Sequence, residues 1–184
     1  MTRRIGIYGG SFNPIHNGHT LLGAALCDMG YVDELWFVVS PMNPLKQDVQ
    51  SELLPDAERL RLCRLAVVDD PRLLVSDVEF SMPRPSYMAD TLALLRNIHS
   101  DKEFILVIGS DNWDVRQKWK DFDKIEGMCR KIVVIGRGEE KENGFSLPDI
   151  SSTMIKKMIK DNQDPDVFLP AGILDYIRKN GLYA

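Results

Sequence analysis

The hydrophobic and polar positions of this chain alternate between two patterns. Apolar runs of strand length, bounded by turn residues, predict five strands at residues 4–8, 34–40, 73–80, 104–108 and 131–136. Apolar residues at helical spacing predict five helices at residues 18–29, 56–68, 89–98, 153–160 and 169–179. Strands therefore alternate with helices along most of the chain.

Turn and capping residues mark several of the predicted helix ends. Gly30 and the pair Asn180-Gly181 follow two helices, where glycine commonly ends a helix. Ser86 is predicted to N-cap the helix through residues 89–98, and Ser151-Ser152-Thr153 to cap the helix that follows them.

The alternation predicts an α/β fold with a Rossmann-like, doubly wound parallel sheet. The sequence contains no internal repeat, low-complexity tract or linker, so we expect residues 1–184 to form a single domain. In such sheets ligands bind beyond the carboxyl ends of the strands, where the strand order reverses. Chemically distinctive residues follow four of the predicted strands: Gly9, Gly10, Ser11, Asn43, Lys46, Gly109, Asp111 and Arg137.

Composition narrows the class of protein. The chain is 44% hydrophobic and 27% charged, which is typical of a globular domain. Its net charge of -4 argues against nucleic acid as a partner. No apolar run has the length of a membrane span or signal peptide, so we expect a cytoplasmic protein without a membrane partner. Its three cysteines are too widely spaced for a metal ribbon and are expected to be reduced.

One glycine-rich segment joins the first predicted strand to the first predicted helix. It reads Gly9-Gly10-Ser11-Phe12-Asn13-Pro14-Ile15-His16-Asn17-Gly18-His19. His16 and His19 are three positions apart, so they can share one face of the first helical turn, beside backbone N–H groups without intrahelical partners. That arrangement suits a polyphosphate. Without a third ligand nearby, the two imidazoles make a poor zinc site, so no metal site is predicted.

Two common nucleotide-binding classes do not fit. A dinucleotide oxidoreductase would show Gly-x-Gly-x-x-Gly after the first strand and an acidic residue near the end of the second. Here the glycine spacing differs, and the second strand ends in Ser40-Pro41. A P-loop protein would need Gly-Lys-Ser/Thr, which this sequence lacks.

The segment resembles the nucleotide motif of the His-x-Gly-His nucleotidyltransferases, and within them of the bacterial nicotinate mononucleotide adenylyltransferases. The resemblance covers nearly the whole chain. The family's second signature, Ile-Ser-Ser-Thr-x-Ile-Arg, is matched by Ile150-Ser151-Ser152-Thr153-Met154-Ile155-Lys156. Between the two motifs, residues 85–92 resemble the segment that meets the pyridine mononucleotide, and residues 108–111 resemble the family's Gly-x-Asp turn. Trp119 matches the aromatic residue on which the family stacks the nicotinate ring.

The resemblance implies transfer of AMP from ATP to nicotinate mononucleotide, giving a dinucleotide and pyrophosphate. Mg²⁺ would arrive with ATP and be held mostly by phosphates and water, with no dedicated carboxylate cage. Catalytic roles are implied for His16, His19, Lys46 and Lys156. ATP contacts are implied for Gly9, Gly10, Ser11, Phe12, Gly18, Gly109, Asp111, Arg137, Ser151, Ser152 and Thr153. Contacts to the mononucleotide are implied for Asn43, Ser86, Tyr87, Met88 and Trp119.

Three departures from the family pattern, and two alternatives, stay open at this point. Leu45-Lys46 stands where His-Lys is common, Lys156 where Arg is usual, and Asn13 where Asp is common. The sister enzymes that use pantetheine phosphate usually have Thr in place of His16. A nucleotide-binding module without chemistry is the alternative from another class. The sequence does not decide the oligomeric state or the preference for acid over amide.

Overall fold

One parallel sheet organises the chain. The computed structural model describes residues 2–42, 44, 52–137, 146–147 and 149–184, with the backbone alone at residues 137, 146 and 147. The strands of these residues are β1 (Arg3–Gly10), β2 (Glu34–Val39), β3 (Leu73–Ser76), β4 (Lys102–Gly109), β5 (Lys131–Arg137) and β6 (Ser146–Leu147). Every pairing between them is parallel, in the order β3-β2-β1-β4-β5-β6. The predicted fold class is confirmed.

The strand order reverses between β1 and β4. The chain first builds outward from β1 through β2 to β3 and then returns to place β4 on the other side of β1. Ile7 of β1 lies opposite Leu106 of β4 in the register. The carboxyl ends of these two neighbouring strands therefore form the crevice where doubly wound sheets bind ligands.

Helices cover both faces of the sheet. They are α1 (Asn17–Asp28), α2 (Asp56–Ala66), α3 (Met88–Ile98), α4 (Ser110–Asp114), α5 (Phe122–Met128), α6 (Ser152–Lys160) and α7 (Ile173–Lys179). The whole apolar run of β2 is buried because its side chains alternate between the two covered faces of the sheet. Leu35, Phe37 and Val39 pack into one core with α1, α2, α6 and α7, whereas Trp36 and Val38 join a second core with α3 and α5.

The structure corrects the predicted strand at residues 73–80. Strand β3 ends at Ser76, and Val78–Ser81 form a 3-10 helix instead. The amide of Phe80 donates to the carbonyl oxygen of Asp77 at 2.8 Å, which closes a turn that the alternating sequence pattern does not reveal. The side chain of Glu79 consequently points inward and is buried.

Two predicted helix starts are also wrong. Tyr87, not Ser86, is the N-cap of α3, because the hydroxyl of Ser86 donates to the buried carboxylate of Glu79. Helix α7 begins at Ile173 rather than at residue 169, after Gly172 adopts a left-handed conformation with φ of 77°. The short elements α4, α5 and β6 are not predicted by the sequence pattern.

Other predicted ends are confirmed. Gly30 and Gly181 have positive φ angles of 68° and 61° just after α1 and α7. Ser151 is the N-cap of α6, and its Oγ accepts a hydrogen bond from the amide of Met154 at 3.1 Å. Across the described ranges, no helix has the length and apolar character needed to span a bilayer.

Candidate active site

Two adjoining clefts open at the carboxyl ends of β1 and β4. The first, here called the histidine cleft, opens around His16 and His19. The second, here called the tryptophan pocket, opens beside Trp119. The two share Gly9 and Gly10 in their walls, so a ligand in one cleft can meet a ligand in the other.

Most of the residues proposed from sequence line these clefts, in the expected division. The histidine cleft brings together most of the predicted ATP and catalytic residues: Gly9, Gly10, Ser11, Phe12, His16, His19, Gly109, Asp111, Ser151, Ser152, Thr153 and Lys156. The tryptophan pocket brings together four predicted mononucleotide residues: Ser86, Tyr87, Met88 and Trp119. Asn43, Lys46 and the side chain of Arg137 lie outside the described residues.

The two histidines are stacked at the start of α1. His16 is the N-cap, in extended conformation and only 4% exposed, and its ring lies 3.7 Å from the ring of His19 between centroids. The backbone N–H of His16 donates to Nδ1 of His19 at 3.2 Å. Because Nδ1 accepts this bond, a neutral His19 carries its proton on Nε2. The donor of a neutral His19 is therefore its Nε2–H group.

Glycines in the motif make room for protein rings as well as for a ligand. A Cβ on Gly18 would lie 3.0 Å from the imidazole of His16, and a Cβ on Gly10 would lie 2.9 Å from the ring of Phe12. Phe12 has a φ of 45° and packs edge-on against His19, with centroids 5.1 Å apart. The motif thus builds an aromatic support beneath the histidine pair.

Helix α6 supplies a helix N-terminus and a cation to the same cleft. The hydroxyl of Ser152 donates to the carbonyl oxygen of Pro14 at 2.8 Å, which ties the helix to the glycine-rich segment. One turn further on, the Nζ atom of Lys156 lies 3.5 Å from the carboxylate of Glu52. Free backbone N–H groups at the helix start and the charge of Lys156 favour an anion here.

The tryptophan pocket is built on the first turn of α3. The ammonium of Lys120 lies 2.9 Å from the carboxylate of Asp90 and 4.8 Å from the ring centroid of Tyr87, which holds the Trp119 segment against this helix. Trp119 also packs edge-on against Phe122, with centroids 6.2 Å apart. The pocket therefore combines an aromatic wall with the N–H groups that begin α3.

Arg59 is a site residue that sequence reasoning missed. Its side chain is 0% exposed, although it belongs to a helix with charged residues on its outer face. Its guanidinium donates to the carbonyl oxygens of Ser11 at 2.7 Å and Ser40 at 2.8 Å, just past the ends of β1 and β2. A lone arginine in a helix carries no sequence signal of this role.

The contacts of Asn13 explain one departure from the family pattern, namely asparagine where aspartate is common. Its Nδ2 donates to the carbonyl oxygen of Glu52 at 3.1 Å, whereas its Oδ1 accepts from the amide of Leu54 at 3.2 Å and from the hydroxyl of Tyr183 at 2.8 Å. An aspartate would lack the N–H donor. Asn13 thus links the glycine-rich segment to two distant parts of the chain.

The walls of the histidine cleft suit a polyphosphate. Imidazoles, hydroxyls, glycine backbone and Lys156 line it, and Asp111 adds a carboxylate at the start of α4. Within the described residues, no three His, Cys, Asp or Glu side chains are grouped to hold a metal ion.

The doubly wound sheet places a histidine pair, the N-terminus of α6 and the charge of Lys156 at its switch point. This combination defines a nucleotidyltransferase. Residues 7–158 match the cytidylyltransferase-like family. A probable nicotinate-nucleotide adenylyltransferase of Bacteroides thetaiotaomicron is 40% identical, over 96% of this chain and 91% of its own. The nicotinate-nucleotide adenylyltransferase of Bacillus subtilis is 30% identical, over 98% of both chains. The chain belongs to the family of nicotinate-nucleotide adenylyltransferases.

Solved structures agree on the fold. The nicotinic acid mononucleotide adenylyltransferase of Plasmodium falciparum, complexed with NaAD, superposes with a TM-score of 0.78 at 21% identity, covering 98% of this chain and 97% of its own. A putative nicotinate-nucleotide adenylyltransferase of Vibrio parahaemolyticus gives a TM-score of 0.76 at 19% identity, covering 98% and 95%. At these identities the likeness establishes a shared architecture.

Proposed function

We propose that this chain transfers the adenylyl group of ATP to the 5′-phosphate of nicotinate mononucleotide and releases pyrophosphate. The observation that carries the proposal is the junction of the two clefts at Gly9 and Gly10, where a cleft suited to polyphosphate meets a pocket suited to a flat ring. The family of the chain supports the same reaction.

In the proposed reaction, a phosphate oxygen of the mononucleotide attacks the α-phosphorus of ATP in line. A new P–O bond forms as the bond from the α-phosphorus to the bridging oxygen of the β-phosphate breaks, and that electron pair leaves with pyrophosphate. The attacking phosphate is already an oxygen nucleophile, so a protein nucleophile is unnecessary. The protein must instead hold two mutually repelling anions together and stabilise the charge on the transferring group.

We assign these tasks to residues of the histidine cleft. His16, the Nε2–H of His19, the ammonium of Lys156 and the N–H groups that begin α6 would hold the phosphate oxygens. Lys156 keeps the charge of the arginine usual in the family but lacks its planar fork. Mg²⁺, carried by ATP, would neutralise phosphate charge. Asn43, Lys46 and Arg137 keep their predicted roles in this proposal.

The tryptophan pocket would bind the pyridine ring. Trp119 would stack on the ring, and the backbone N–H groups around Tyr87 and Met88 at the start of α3 would face its carboxylate. N–H donors form stronger hydrogen bonds to a carboxylate than to a carboxamide. We therefore expect the acid to be preferred over the amide.

Two further expectations belong to this proposal. We infer that residues 1–184 act as one domain, because helices from the start, middle and end of the chain pack on one sheet. We also infer a cytoplasmic location, where free thiols persist; Cys27, Cys63 and Cys129 are unpaired by disulfides in the structure.

The test is pyrophosphate release with ATP and Mg²⁺ in parallel reactions that contain nicotinate mononucleotide, nicotinamide mononucleotide or pantetheine phosphate. We expect fast release with the nicotinate compound and slower release with its amide. Release with pantetheine phosphate alone would assign the chain to the sister reaction. ATP binding without release in any reaction would indicate a binding module.

A further inference from the structure

A carboxylate that the proposed reaction does not use lies in the wall of the tryptophan pocket. Glu79 is 3% exposed and belongs to the 3-10 helix after β3. Its two carboxylate oxygens accept hydrogen bonds from the hydroxyls of Ser86 and Thr91, the second at 2.8 Å. Burying a carboxylate is costly unless hydrogen bonds compensate it, so these contacts hold the group in place.

The two hydroxyls lie on either side of the turn that faces the pocket. Ser86 immediately precedes Tyr87, the N-cap of α3, and Thr91 lies one turn into that helix. The amide of Thr91 donates to the carbonyl oxygen of Tyr87 at 3.0 Å. Glu79 therefore restrains both ends of the segment whose N–H groups border the pocket.

The negative charge of Glu79 lies beside a pocket that is proposed to bind an acidic ligand. A carboxylate in the wall of a pocket for an acidic ring repels the ligand, and hydrogen bonds from hydroxyls weaken this repulsion without removing it. Both oxygens contact hydroxyls of the protein, although the single proton of Thr91 is shared with the carbonyl oxygen of Tyr87 at 3.1 Å. The backbone N–H groups at the start of α3 stay available for a ligand, because side-chain hydroxyls satisfy Glu79.

We propose that Glu79 is a positioning residue for the pyridine mononucleotide. It acts through Ser86 and Thr91, and it sets the KM for the mononucleotide. This inference rests on the proposed function, because it takes nicotinate mononucleotide as the ligand of the pocket.

The experiment compares Glu79→Met, which removes the acceptors at similar length, with Glu79→Gln, which keeps one carbonyl acceptor. For Glu79→Met we expect KM for nicotinate mononucleotide to rise about tenfold, the effect of losing hydrogen bonds to a charged group. KM for ATP should change less than about twofold. Glu79→Gln should lie between Glu79→Met and the unmodified protein.

Other roles of Glu79 give different results. If only its charge mattered, both variants would lower KM for the acid and act alike, since each removes a repelling carboxylate. If Glu79 only stabilised the fold, the active fraction would fall while KM for both substrates stayed constant. Either result would overturn the proposal. Glu103→Gln is the matched control, because Glu103 is half-exposed on the surface and pairs with Arg130.

Thr91→Val keeps the proposal testable if Glu79→Met does not fold. It removes one hydroxyl partner, leaves Glu79 in place, and should raise KM for the mononucleotide severalfold. An unchanged KM in Thr91→Val would overturn the proposal. Failure of the proposed function is recognised separately, since the unmodified protein would then release no pyrophosphate with nicotinate mononucleotide.

Discussion

The hydrogen-bonding form of His19 is set by the backbone of another residue. The amide of His16 donates to Nδ1 of His19, and the rings stack at an interplanar angle of 24°. In the neutral ring the donor therefore sits on Nε2, and the bond at Nδ1 fixes its direction.

His19→Ala should lower kcat by about 100-fold or more, in line with the loss of one preorganised donor at the transferring phosphate. The measurement is steady-state pyrophosphate release, with circular dichroism to confirm folding. His99→Ala is the matched control, because His99 contacts Trp36 on the other side of the sheet from the histidine pair and should leave kcat nearly unchanged. Full activity in a folded His19→Ala protein would remove His19 from the mechanism.

At the scale of elements, a buried charge joins the ends of two strands. Arg59 projects from α2 beneath the segments that follow β1 and β2, where it donates to Ser11 and Ser40 and pairs with Asp56. The carbonyl groups at those strand ends have left the sheet and need donors. Arg59 provides them and thereby holds one wall of the histidine cleft.

Arg59→Met should lower the free energy of unfolding by about 3–5 kcal/mol, because it leaves three carbonyl groups without their charged donor, whereas Asp56 keeps its pair with Arg84. Denaturant unfolding measures the change. Arg64→Met on the same helix is the control: its guanidinium is exposed, so we expect a change of less than about 1 kcal/mol. Equal effects of the two substitutions would contradict the role given to Arg59.

Across the whole molecule, burial in the two cores governs the reactivity of the thiols. Burial raises the pKa of Cys129 from 9.0 to about 11, and raises the pKa of the fully buried Cys63 further. Cys27 is half-buried, and its pKa is also raised by burial. Since the thiolate is the reactive form, a raised pKa leaves less of it at any pH below that pKa.

Cys129 should therefore be alkylated by iodoacetamide at pH 8 about 100-fold more slowly in the folded protein than after unfolding, from its pKa shift alone. The rate should rise with pH up to about 11. Mass spectrometry of the labelled cysteines measures the rates, with the protein in guanidinium chloride as control. Equal rates in the folded and unfolded protein would show that Cys129 is not protected.

Much of the architecture could be predicted from the sequence. The run at residues 104–108 is apolar at every position, which requires cover on both faces, and β4 is indeed buried between two cores. The prediction of a strand over residues 73–80 was wrong beyond Ser76, because Val78 and Phe80 alternate with polar residues whether the segment is a strand or a 3-10 helix. In the folded chain, the bond from the Phe80 amide to Asp77 closes the 3-10 turn, and the hydroxyls of Ser86 and Thr91 bind the carboxylate of Glu79 that this turn buries.

The alternation of the main strands and helices, and the two motifs that meet in the histidine cleft, can be read from the amino-acid sequence, because periodicity and motif chemistry depend on neighbouring residues. The tasks of Arg59, Glu79 and Asn13 emerge only when the chain is folded. Arg59 and Asn13 satisfy partners far along the chain, such as Ser11 and Tyr183, whereas Glu79 satisfies hydroxyls of the next helix start. Burial without water makes those partners obligatory, and no local pattern records which groups folding will bring together.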